Sequence, residues 1–409
     1  MTKPASSNTA NEIPKRVLIS APGKVILFGE HAVVYQKHAI AASLGLRSYL
    51  YLETRDDAEC HLKLPDVNVD RRWPISDLPL GFDHGDSDGG QPLDMPEELK
   101  TRLMTLMGPT TGIAQEQAIL AFLYLFVVLA PKSPKGFTIC TRSFLPVGAG
   151  LGSSASYSVV IATSLLIQFG HISAADVRTT ASLETINRFA FKAEQVIHGN
   201  PSGVDNAVAT FGGAKTFVKG QGFSTLEGFQ PLRLLLTNTK VPRSTSALVA
   251  GVGEKKAKYP EVIDPIMDAI DQVSLRCREA FQRHKGESMP PALMDELEDL
   301  VNINHCLLGA LGVSHTSLEK VRNITAAHGM KTKLTGAGGG GCAVTVIRDN
   351  VPQDSINEVV DLLGAEGFDC YQTSVGGVGV DMAVLREEEN EAWMTSAARV
   401  VLDNYSKTA

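Results

Sequence analysis

Two carboxylates stand on either side of a helix end in this sequence. Glu194 falls in the last turns of a predicted helix that Gly199-Asn200-Pro201 ends, and Asp205 stands in the turn that follows. A carboxylate near a helix C-terminus opposes the helix dipole, and a bound cation would compensate for it. The pair therefore predicts one metal ligand and one general base. In the alternative interpretation, Asp205 only caps a following helix.

Lys24, Glu30 and His31 lie within a short segment at the ends of predicted strands. Pro22-Gly23 predicts a turn, which would place Lys24 at a junction between a turn and a strand. A lysine, a glutamate and a histidine this close together would form one wall of a polar site. The alternative is a solvated Lys24 and a histidine whose hydrogen bonds are satisfied within the core.

A glycine-rich stretch, residues 146–156, reads Pro-Val-Gly-Ala-Gly-Leu-Gly-Ser-Ser-Ala-Ser and precedes an apolar run. Glycines let backbone N–H groups approach a ligand, and a helix start adds unpaired N–H donors and the positive end of the dipole. The stretch therefore predicts a phosphate site, where Ser153 or Ser154 caps the helix or reaches a metal bound to the phosphate. It matches neither a P-loop nor a dinucleotide fingerprint. A glycine-rich turn before a core helix is the alternative.

A second glycine-rich stretch, residues 336–341, reads Gly-Ala-Gly-Gly-Gly-Gly between two predicted strands. No single hairpin needs so many glycines, so they indicate close backbone approach or unusual dihedral angles. We expect this stretch to pack against the first glycine stretch or against the phosphates of a ligand.

The elements that would carry these residues follow from periodicity and turn residues. The first glycine stretch follows a strand predicted over 136–142 and opens a helix, which is the context that phosphate binding requires. Further strands are predicted over 16–21, 25–28, 39–52, 211–217, 232–237, 331–335, 342–347, 368–374 and 377–384. Further helices are predicted over 96–107, 112–130, 174–198, 264–285, 292–311, 314–328, 353–365 and 388–402.

Composition indicates an ordinary soluble protein with 44% hydrophobic and 20% charged residues. A net charge of −7 and the lack of a basic run argue against nucleic-acid binding. The six cysteines are scattered, which fits a reducing compartment, and neither a secretory signal nor a membrane span is expected. With 409 residues, we expect a disordered tail at 1–14 and two domains at 15–229 and 230–409.

Three ordered motifs resemble the kinase superfamily of galactokinase, homoserine kinase, mevalonate kinase and phosphomevalonate kinase, the GHMP kinases. They are the segments 21–31, 146–154 and 333–342. Within the superfamily, the segments 198–207 and 237–243 are similar to eukaryotic mevalonate kinases almost letter for letter. The resemblance covers roughly residues 16–385, and three motifs in order are far more specific than either glycine stretch alone.

The resemblance implies a two-domain α+β fold. Its N-terminal domain would be a ribosomal-S5-like α/β domain carrying the phosphate loop, and its C-terminal domain a ferredoxin-like α+β domain with added helices. The implied reaction is ATP-dependent phosphorylation of the C5 hydroxyl of mevalonate, with Mg²⁺ as cofactor. The family also implies a homodimer and feedback inhibition by prenyl diphosphates. We expect a cytoplasmic enzyme and leave a peroxisomal one open, because the C-terminus Ser-Lys-Thr-Ala is not a clear targeting signal.

Carried over position by position, the resemblance implies that Asp205 is the catalytic base, assisted by Lys24, and that Ser154 and Glu194 bind Mg²⁺. The residues implied to bind ATP are Lys24, Ser143, Gly148, Ala149, Gly150, Leu151, Gly152, Ser153 and Ser154. The residues implied to lie at the substrate are Lys24, Glu30, His31, Asp205 and Thr245.

Two positions depart from the family pattern. Gln36 stands where a glycine is usual, which would alter a turn, and Asp66 stands where a nucleotide-contacting asparagine is usual. Two other functions stay open: a GHMP kinase for phosphomevalonate, homoserine or galactose, and a catalytically inactive ligand sensor. A sensor should have lost the base, the lysine or a metal ligand, whereas this sequence retains all of them.

Overall fold

The computed structural model describes residues 13–81, 95–146, 148–286 and 289–408. Of the tail predicted at 1–14, residues 1–12 lie outside this description. The strands are β1 (Arg16–Phe28), β2 (His38–Thr54), β3 (Glu59–Leu64), β4 (Val69–Pro74), β5 (Phe137–Ser143), β6 (Ala214–Val218), β7 (Gly222–Thr225), β8 (Leu232–Asn238), β9 (Lys331–Leu334), β10 (Cys342–Ile347), β11 (Asp369–Val375) and β12 (Asp381–Val384). The helices are α1 (Glu97–Met107), α2 (Ile113–Leu129), α3 (Ser153–Gln168), α4 (Thr180–His198), α5 (Val204–Phe211), α6 (Thr245–Lys258), α7 (Pro260–Arg283), α8 (Pro291–Ala310), α9 (Thr316–Ala327), α10 (Gln353–Ala365), α11 (Glu391–Ser396) and α12 (Arg399–Thr408).

One sheet runs through both parts of the chain. Its central order is β4-β3-β5-β2-β11-β8-β10-β9, while β1 pairs with β2 and β12, and β6 pairs with β2 and β7. The two parts meet where Leu44 of β2 pairs with Val375 of β11. After that junction the chain returns to the first part, because β12 pairs with β1. The architecture is α+β, as predicted, and the domain division near residue 230 stays a prediction.

The turn predicted at Pro22-Gly23 is wrong, because β1 continues through it as a single strand. Its pairing with β2 jumps from Pro22↔Arg47 to Gly23↔Leu44, so two residues of β2 are extra at this point. Such a bulge bends the sheet locally, and both strands continue past it. A Cβ at Gly23 would lie 2.6 Å from the carbonyl oxygen of Leu151, so glycine lets β1 run directly beside the first glycine stretch. Lys24 therefore projects from the interior of a strand.

The two most apolar helices form the core beneath the first part of the sheet. α2 is buried along most of its length, which confirms the predicted core helix. α3 is buried from Ala155 to Gln168 except at Tyr157. Within the described residues, no helix combines the length and apolar character that crossing a bilayer would require.

A second core lies between the two parts of the chain. It combines apolar side chains of β1 and β2, such as Val25 and Ile40, with side chains of β8, α7 and β10, such as Leu234, Phe281 and Val344. These residues are almost fully buried. The two parts therefore share apolar contacts as well as a sheet.

Several elements of the structure differ from the prediction. The helix predicted over 388–402 is wrong as a single helix, because it divides at Ala397, whose carbonyl accepts a hydrogen bond from Arg142 Nη1 at 2.5 Å. α6 was not predicted, although Ser244 caps it by accepting the N–H of Ala247 at 3.2 Å. The strand predicted from residue 211 begins at Ala214, because α5 extends to Phe211.

Candidate active site

The first glycine stretch lies between β5 and α3, which confirms the predicted order of strand, loop and helix. Gly148, Gly150 and Gly152 have φ angles of 70°, 74° and 72°, in the left-handed region that favours glycine. α3 begins directly after Gly152, so its first N–H groups face the loop. The prediction that Ser153 or Ser154 caps this helix is wrong, because Gly152 is the cap residue and no side chain caps the helix.

Ser154 instead lies beside Glu194, as the predicted metal site requires. Glu194 is in the last turns of α4, and its carboxylate accepts hydrogen bonds from Ser154 Oγ at 3.3 Å and Ser158 Oγ at 3.0 Å. Glu194 is only 3% exposed, and burial raises the pKa of its carboxyl to about 7. His198 Nε2 lies 3.1 Å from Ser154 Oγ.

The donor set at Ser154 and Glu194 fits a hard cation. A hydroxyl and a carboxylate are both oxygen ligands, and the Glu194 carboxylate lies against the hydroxyl groups of Ser154 and Ser158, with His198 Nε2 4.0 Å away. Within the described ranges, no cluster of three or more His, Cys, Asp or Glu side chains could hold a metal ion by itself. Mg²⁺ in kinases is commonly held by one or two carboxylates together with substrate phosphates, and this arrangement suits that mode.

Lys24 and Asp205 form an ion pair on the other side of the loop. Lys24 Nζ lies 3.2 Å from Asp205 Oδ1, and the backbone N–H of Lys24 donates to Leu151 O at 2.8 Å. Asp205 is in the first turn of α5, where the helix dipole favours a negative charge. The alternative that Asp205 caps this helix is wrong, because Gly203 occupies the cap position. The Asp205 side chain is 33% exposed, so a substrate can reach it.

Arg243 lies between the two glycine stretches and bonds to both, whereas direct packing of one stretch against the other stays a prediction. Arg243 Nη2 donates to Ala149 O at 2.8 Å, and Nη1 donates to Gly340 O at 3.2 Å. A Cβ at Gly341 would lie 1.1 Å from Nη1, so only glycine leaves room for the guanidinium. Among the described residues, no carboxylate is paired with Arg243.

The site residues predicted from the sequence do not include Arg243. The nearby Lys240 is neutralised by Asp369 at 2.7 Å, whereas burial lowers the pKa of Arg243 without a carboxylate to oppose it. An uncompensated cation between two glycine loops is suited to bind the negative charge of a phosphate. The clue in the sequence was that Arg243 stands close to Thr245, a predicted substrate residue. In the structure, Thr245 begins α6 and is exposed.

Glu30 and His31 lie at the end of β1, where the chain turns towards the second glycine stretch. His31 Nε2 lies 2.9 Å from Ala337 O, and burial lowers the pKa of the imidazole. Glu30 is 1% exposed and contacts Lys333 and Asn304. Among the described residues, the site thus brings His31 to one glycine stretch and Lys24 to the other.

A cavity of about 190 Å³ adjoins the start of α3. Its lining includes the predicted nucleotide residues Ser143, Ser153 and Ser154 together with His198 and Asp66. The backbone N–H of Ser143 donates to Asp66 Oδ2 at 2.8 Å, and burial raises the pKa of this carboxyl. Asp66 therefore holds the end of β5 at the cavity wall. Gln36 adopts a left-handed conformation with φ 62°, where a glycine would be unstrained.

Comparison with known proteins agrees with this geometry. Residues 117–213 match the model of the GHMP kinases N terminal domain, and residues 289–364 match the model of the GHMP kinases C terminal region. The mevalonate kinase of Bos taurus is 42% identical over 381 residues, which cover 90% of this chain and 94% of that protein. The mevalonate kinase of Homo sapiens is 41% identical over 377 residues, with the same two coverages.

Solved structures share the fold. The crystal structure of L. major mevalonate kinase in complex with R-mevalonate has a TM-score of 0.65 and 24% identity, and it covers 93% of this chain and 100% of that chain. The mevalonate kinase of Methanococcus jannaschii has a TM-score of 0.64 and 24% identity, covering 87% of this chain and 97% of that chain. At this level of identity, the likeness shows the fold alone.

Proposed function

Because the chain belongs to the mevalonate kinase family of the GHMP kinases, we propose that it transfers the γ-phosphoryl group of ATP to the C5 hydroxyl of mevalonate. The products are 5-phosphomevalonate and ADP. The single observation that carries the chemistry is the Lys24–Asp205 pair, at 3.2 Å, beside a glycine loop that opens a helix.

Asp205 acts as the general base in this proposal. An alcohol is a poor nucleophile near neutral pH, and Asp205 accepts its proton as the new O–P bond forms. Lys24 lies against the same carboxylate, where its positive charge favours the developing alkoxide. The exposed part of Asp205 is the part that the acceptor hydroxyl approaches.

The negative charge of the phosphates is bound by four groups in this proposal: the glycine loop, Arg243, Ser154 and Glu194. Backbone N–H groups at the start of α3 donate to phosphate oxygens, and the guanidinium of Arg243 adds a positive charge. Ser154 and Glu194 would hold Mg²⁺, which when bound neutralises negative charge on the phosphates. Ser143 and the cavity beside it accept the nucleoside of ATP.

The family also supports four finer proposals. The enzyme uses Mg²⁺ with ATP, forms a homodimer, is inhibited by prenyl diphosphates that compete with ATP, and acts in the cytoplasm. A monomer at micromolar concentration by light scattering would refute the dimer. ATP kinetics that do not change when farnesyl diphosphate is added would refute the inhibition.

The first test is an acceptor panel. ADP release is measured with MgATP and mevalonate, phosphomevalonate, homoserine or galactose. We expect turnover with mevalonate alone. Turnover with another acceptor would reject mevalonate as the substrate but leave the proposed base unaffected. ATP binding without any turnover would support the sensor alternative.

The second test removes the base. Asp205→Ala is expected to lower kcat by about 10²–10⁴-fold, because general-base catalysis is lost, while ATP affinity changes little. Asp205→Asn, which keeps the shape of the side chain, is the matched variant and should lose a similar factor. Near-wild-type kcat in either variant would remove Asp205 from the mechanism.

A further inference from the structure

The segment from Gly29 to Gln36 holds a strained backbone next to the site. His31 has φ 60° and ψ −45°, a conformation that residues with a Cβ rarely adopt. Gln36 has φ 62° in the same short segment. Such conformations persist only when surrounding contacts impose them, and they often occur at ligand sites.

Glu30, the neighbour of His31, is held by two side chains from distant parts of the sequence. Its Oε1 contacts Lys333 Nζ of β9, and its Oε2 accepts a hydrogen bond from Asn304 Nδ2 of α8 at 2.9 Å. Glu30 is 1% exposed, and Lys333 and Asn304 are 0% exposed. Both carboxylate oxygens of Glu30 are therefore occupied by protein donors, away from solvent.

The same contact extends to the second glycine stretch. Lys333 also donates to Leu334 O at 2.7 Å, two residues before the stretch begins at Gly336. His31 Nε2 lies 2.9 Å from Ala337 O within the stretch. The strained segment and the second glycine stretch are thus joined by two contacts, one through Glu30 and Lys333 and one through His31.

We propose that Glu30, Lys333 and Asn304 are positioning residues, forming a buried anchor that fixes the His31 segment against the second glycine stretch. The inference rests on the proposed kinase function. The anchored segment follows directly from β1, the strand whose Lys24 pairs with the proposed base Asp205, and the proposal therefore places it at the acceptor end of the site. In place of the expected substrate contact, this proposal has Glu30 act through His31 and through the backbone, because both of its carboxylate oxygens contact protein donors.

The electrostatics of the anchor give a specific expectation. Removing one partner of a buried ion pair leaves the other charge uncompensated, whereas removing both charges leaves a neutral contact. Glu30→Gln and Lys333→Met should therefore each disturb the segment, and the double variant should be no worse than the worse single variant. Residues that acted independently would show effects that multiply.

Steady-state kinetics with mevalonate and MgATP test the role. Each single variant should raise KM for mevalonate by about 10-fold, while KM for ATP changes by less than about two-fold. Asn304→Ala preserves the ion pair and should raise KM for mevalonate by a smaller factor, about three-fold, which keeps the test open where a charged variant does not fold. Equal rises in both KM values, or multiplicative effects in the double variant, would overturn the proposal.

Glu298→Gln is the matched structural control. Glu298 is also a buried carboxylate on α8, and Arg348 holds it at 2.8 Å and 2.6 Å beyond the opposite end of β10. This variant should lose thermal stability while both KM values stay unchanged. If Glu30→Gln behaves in the same way, the anchor is merely structural and the proposal is refuted.

Amide hydrogen exchange on the unliganded protein provides a readout that needs no turnover. In Glu30→Gln, residues 29–37 and 336–341 should both exchange faster, while the same segments are unchanged in Glu298→Gln. Faster exchange in one segment only, or in neither, would contradict the anchor. Failure of the wild-type protein to phosphorylate mevalonate would refute the proposed function alone, because the exchange experiment still decides the anchor.

Discussion

At the scale of single residues, Glu194 shows how burial and ligand binding oppose each other. Its carboxylate is buried against two hydroxyl groups and lies in the field of Asp205, and the pKa rises to about 7, chiefly through burial. A carboxylate that is costly to ionise in the unliganded protein is stabilised when a cation arrives. In the proposed Mg²⁺ site, binding of the cation would offset the cost of ionising this buried carboxylate.

The raised pKa of Glu194 predicts a pH dependence of stability. The folded state keeps the proton up to about pH 7, whereas the unfolded state releases it near 4.5, the ordinary pKa of a glutamate, so the free energy of unfolding should fall as pH rises between these values. Glu194→Gln has no such proton to lose. In urea unfolding without metal, we expect the variant to gain stability relative to wild type from pH 5 to pH 8. A difference that is independent of pH would contradict this account.

Arg243 illustrates the contribution of one unpaired charge. Replacing it with glutamine keeps hydrogen-bonding groups but removes the charge between the two glycine stretches. We expect Arg243→Gln to lower kcat/KM for ATP by about 100-fold, a typical cost of losing one charge-stabilising donor. Arg233→Gln, at a half-buried arginine that donates to Asp349 O at 3.4 Å, is the control and should be nearly neutral. Equal kinetics in the two variants would exclude a role for Arg243.

At the scale of elements, α3 has a glycine in the left-handed conformation at each end. Gly152 precedes its first turn and Gly170 follows its last one, and both have φ 72°. They differ in surroundings, because a Cβ at Gly152 would lie 2.9 Å from Lys24 Cγ, while nothing lies within 4 Å at Gly170. A positive φ angle is thus required at one glycine inside the site and at one glycine outside it.

Because the two glycines share a φ angle but differ in surroundings, Gly170 serves as a control for a substitution at Gly152. Gly152→Ala and Gly170→Ala should each lose roughly 1–2 kcal/mol of stability, because alanine is strained at positive φ. Only Gly152→Ala should also displace Lys24, and we expect it to lower kcat by at least about 10-fold. Thermal unfolding and steady-state kinetics on both variants check this. Unchanged kcat in Gly152→Ala would show that Lys24 tolerates the added methyl group.

At the scale of the whole molecule, the two parts of the chain are expected to unfold together. They share one sheet, and the core between them unites β1 and β2 with α7 and β10. Both tryptophans report on the first part: Trp73 lies in its core, and Trp393 packs on the cluster that contains Tyr49. Fluorescence therefore monitors one part, whereas circular dichroism monitors all helices.

Phe281→Leu provides the test of this coupling. Phe281 lies on α7 in the shared core and is fully buried, so its truncation should cost about 1–3 kcal/mol. If unfolding is cooperative, the midpoints from tryptophan fluorescence and from circular dichroism should fall by the same amount. A shift in circular dichroism alone would show that the two parts unfold separately.

Local patterns in the sequence were sufficient for most elements and for the phosphate loop. β10 and α10 have the predicted bounds, because a short β-branched run and a 3.6-residue apolar period are local properties. The order of β5, glycine loop and α3 is likewise local. The positions of Lys24, Asp205, Ser154 and Glu194 were selected from turn chemistry together with the family resemblance, and their catalytic roles stay predictions.

The same local rules failed where distant residues intervene. Pro22-Gly23 is a turn signal in isolation, but β1 pairs with β2 both before and after this dipeptide, and the pairing keeps β1 extended. The last helix divides at Ala397, where Arg142 from β5 binds the carbonyl. The cap of α6 was a local signal that went unrecognised among the hydroxyl groups around Ser244.

Only the tertiary structure decided which partners these residues have. Glu30 meets Lys333 across 303 positions of sequence, and Arg243 meets Ala149 across 94. Composition and periodicity contain no information about such pairs, because they arise when the second part of the sheet folds against the first. The sequence by itself determined the elements, the glycine loops and the type of chemistry. The fold determined that one arginine joins the two loops and that Glu30 is enclosed by protein donors.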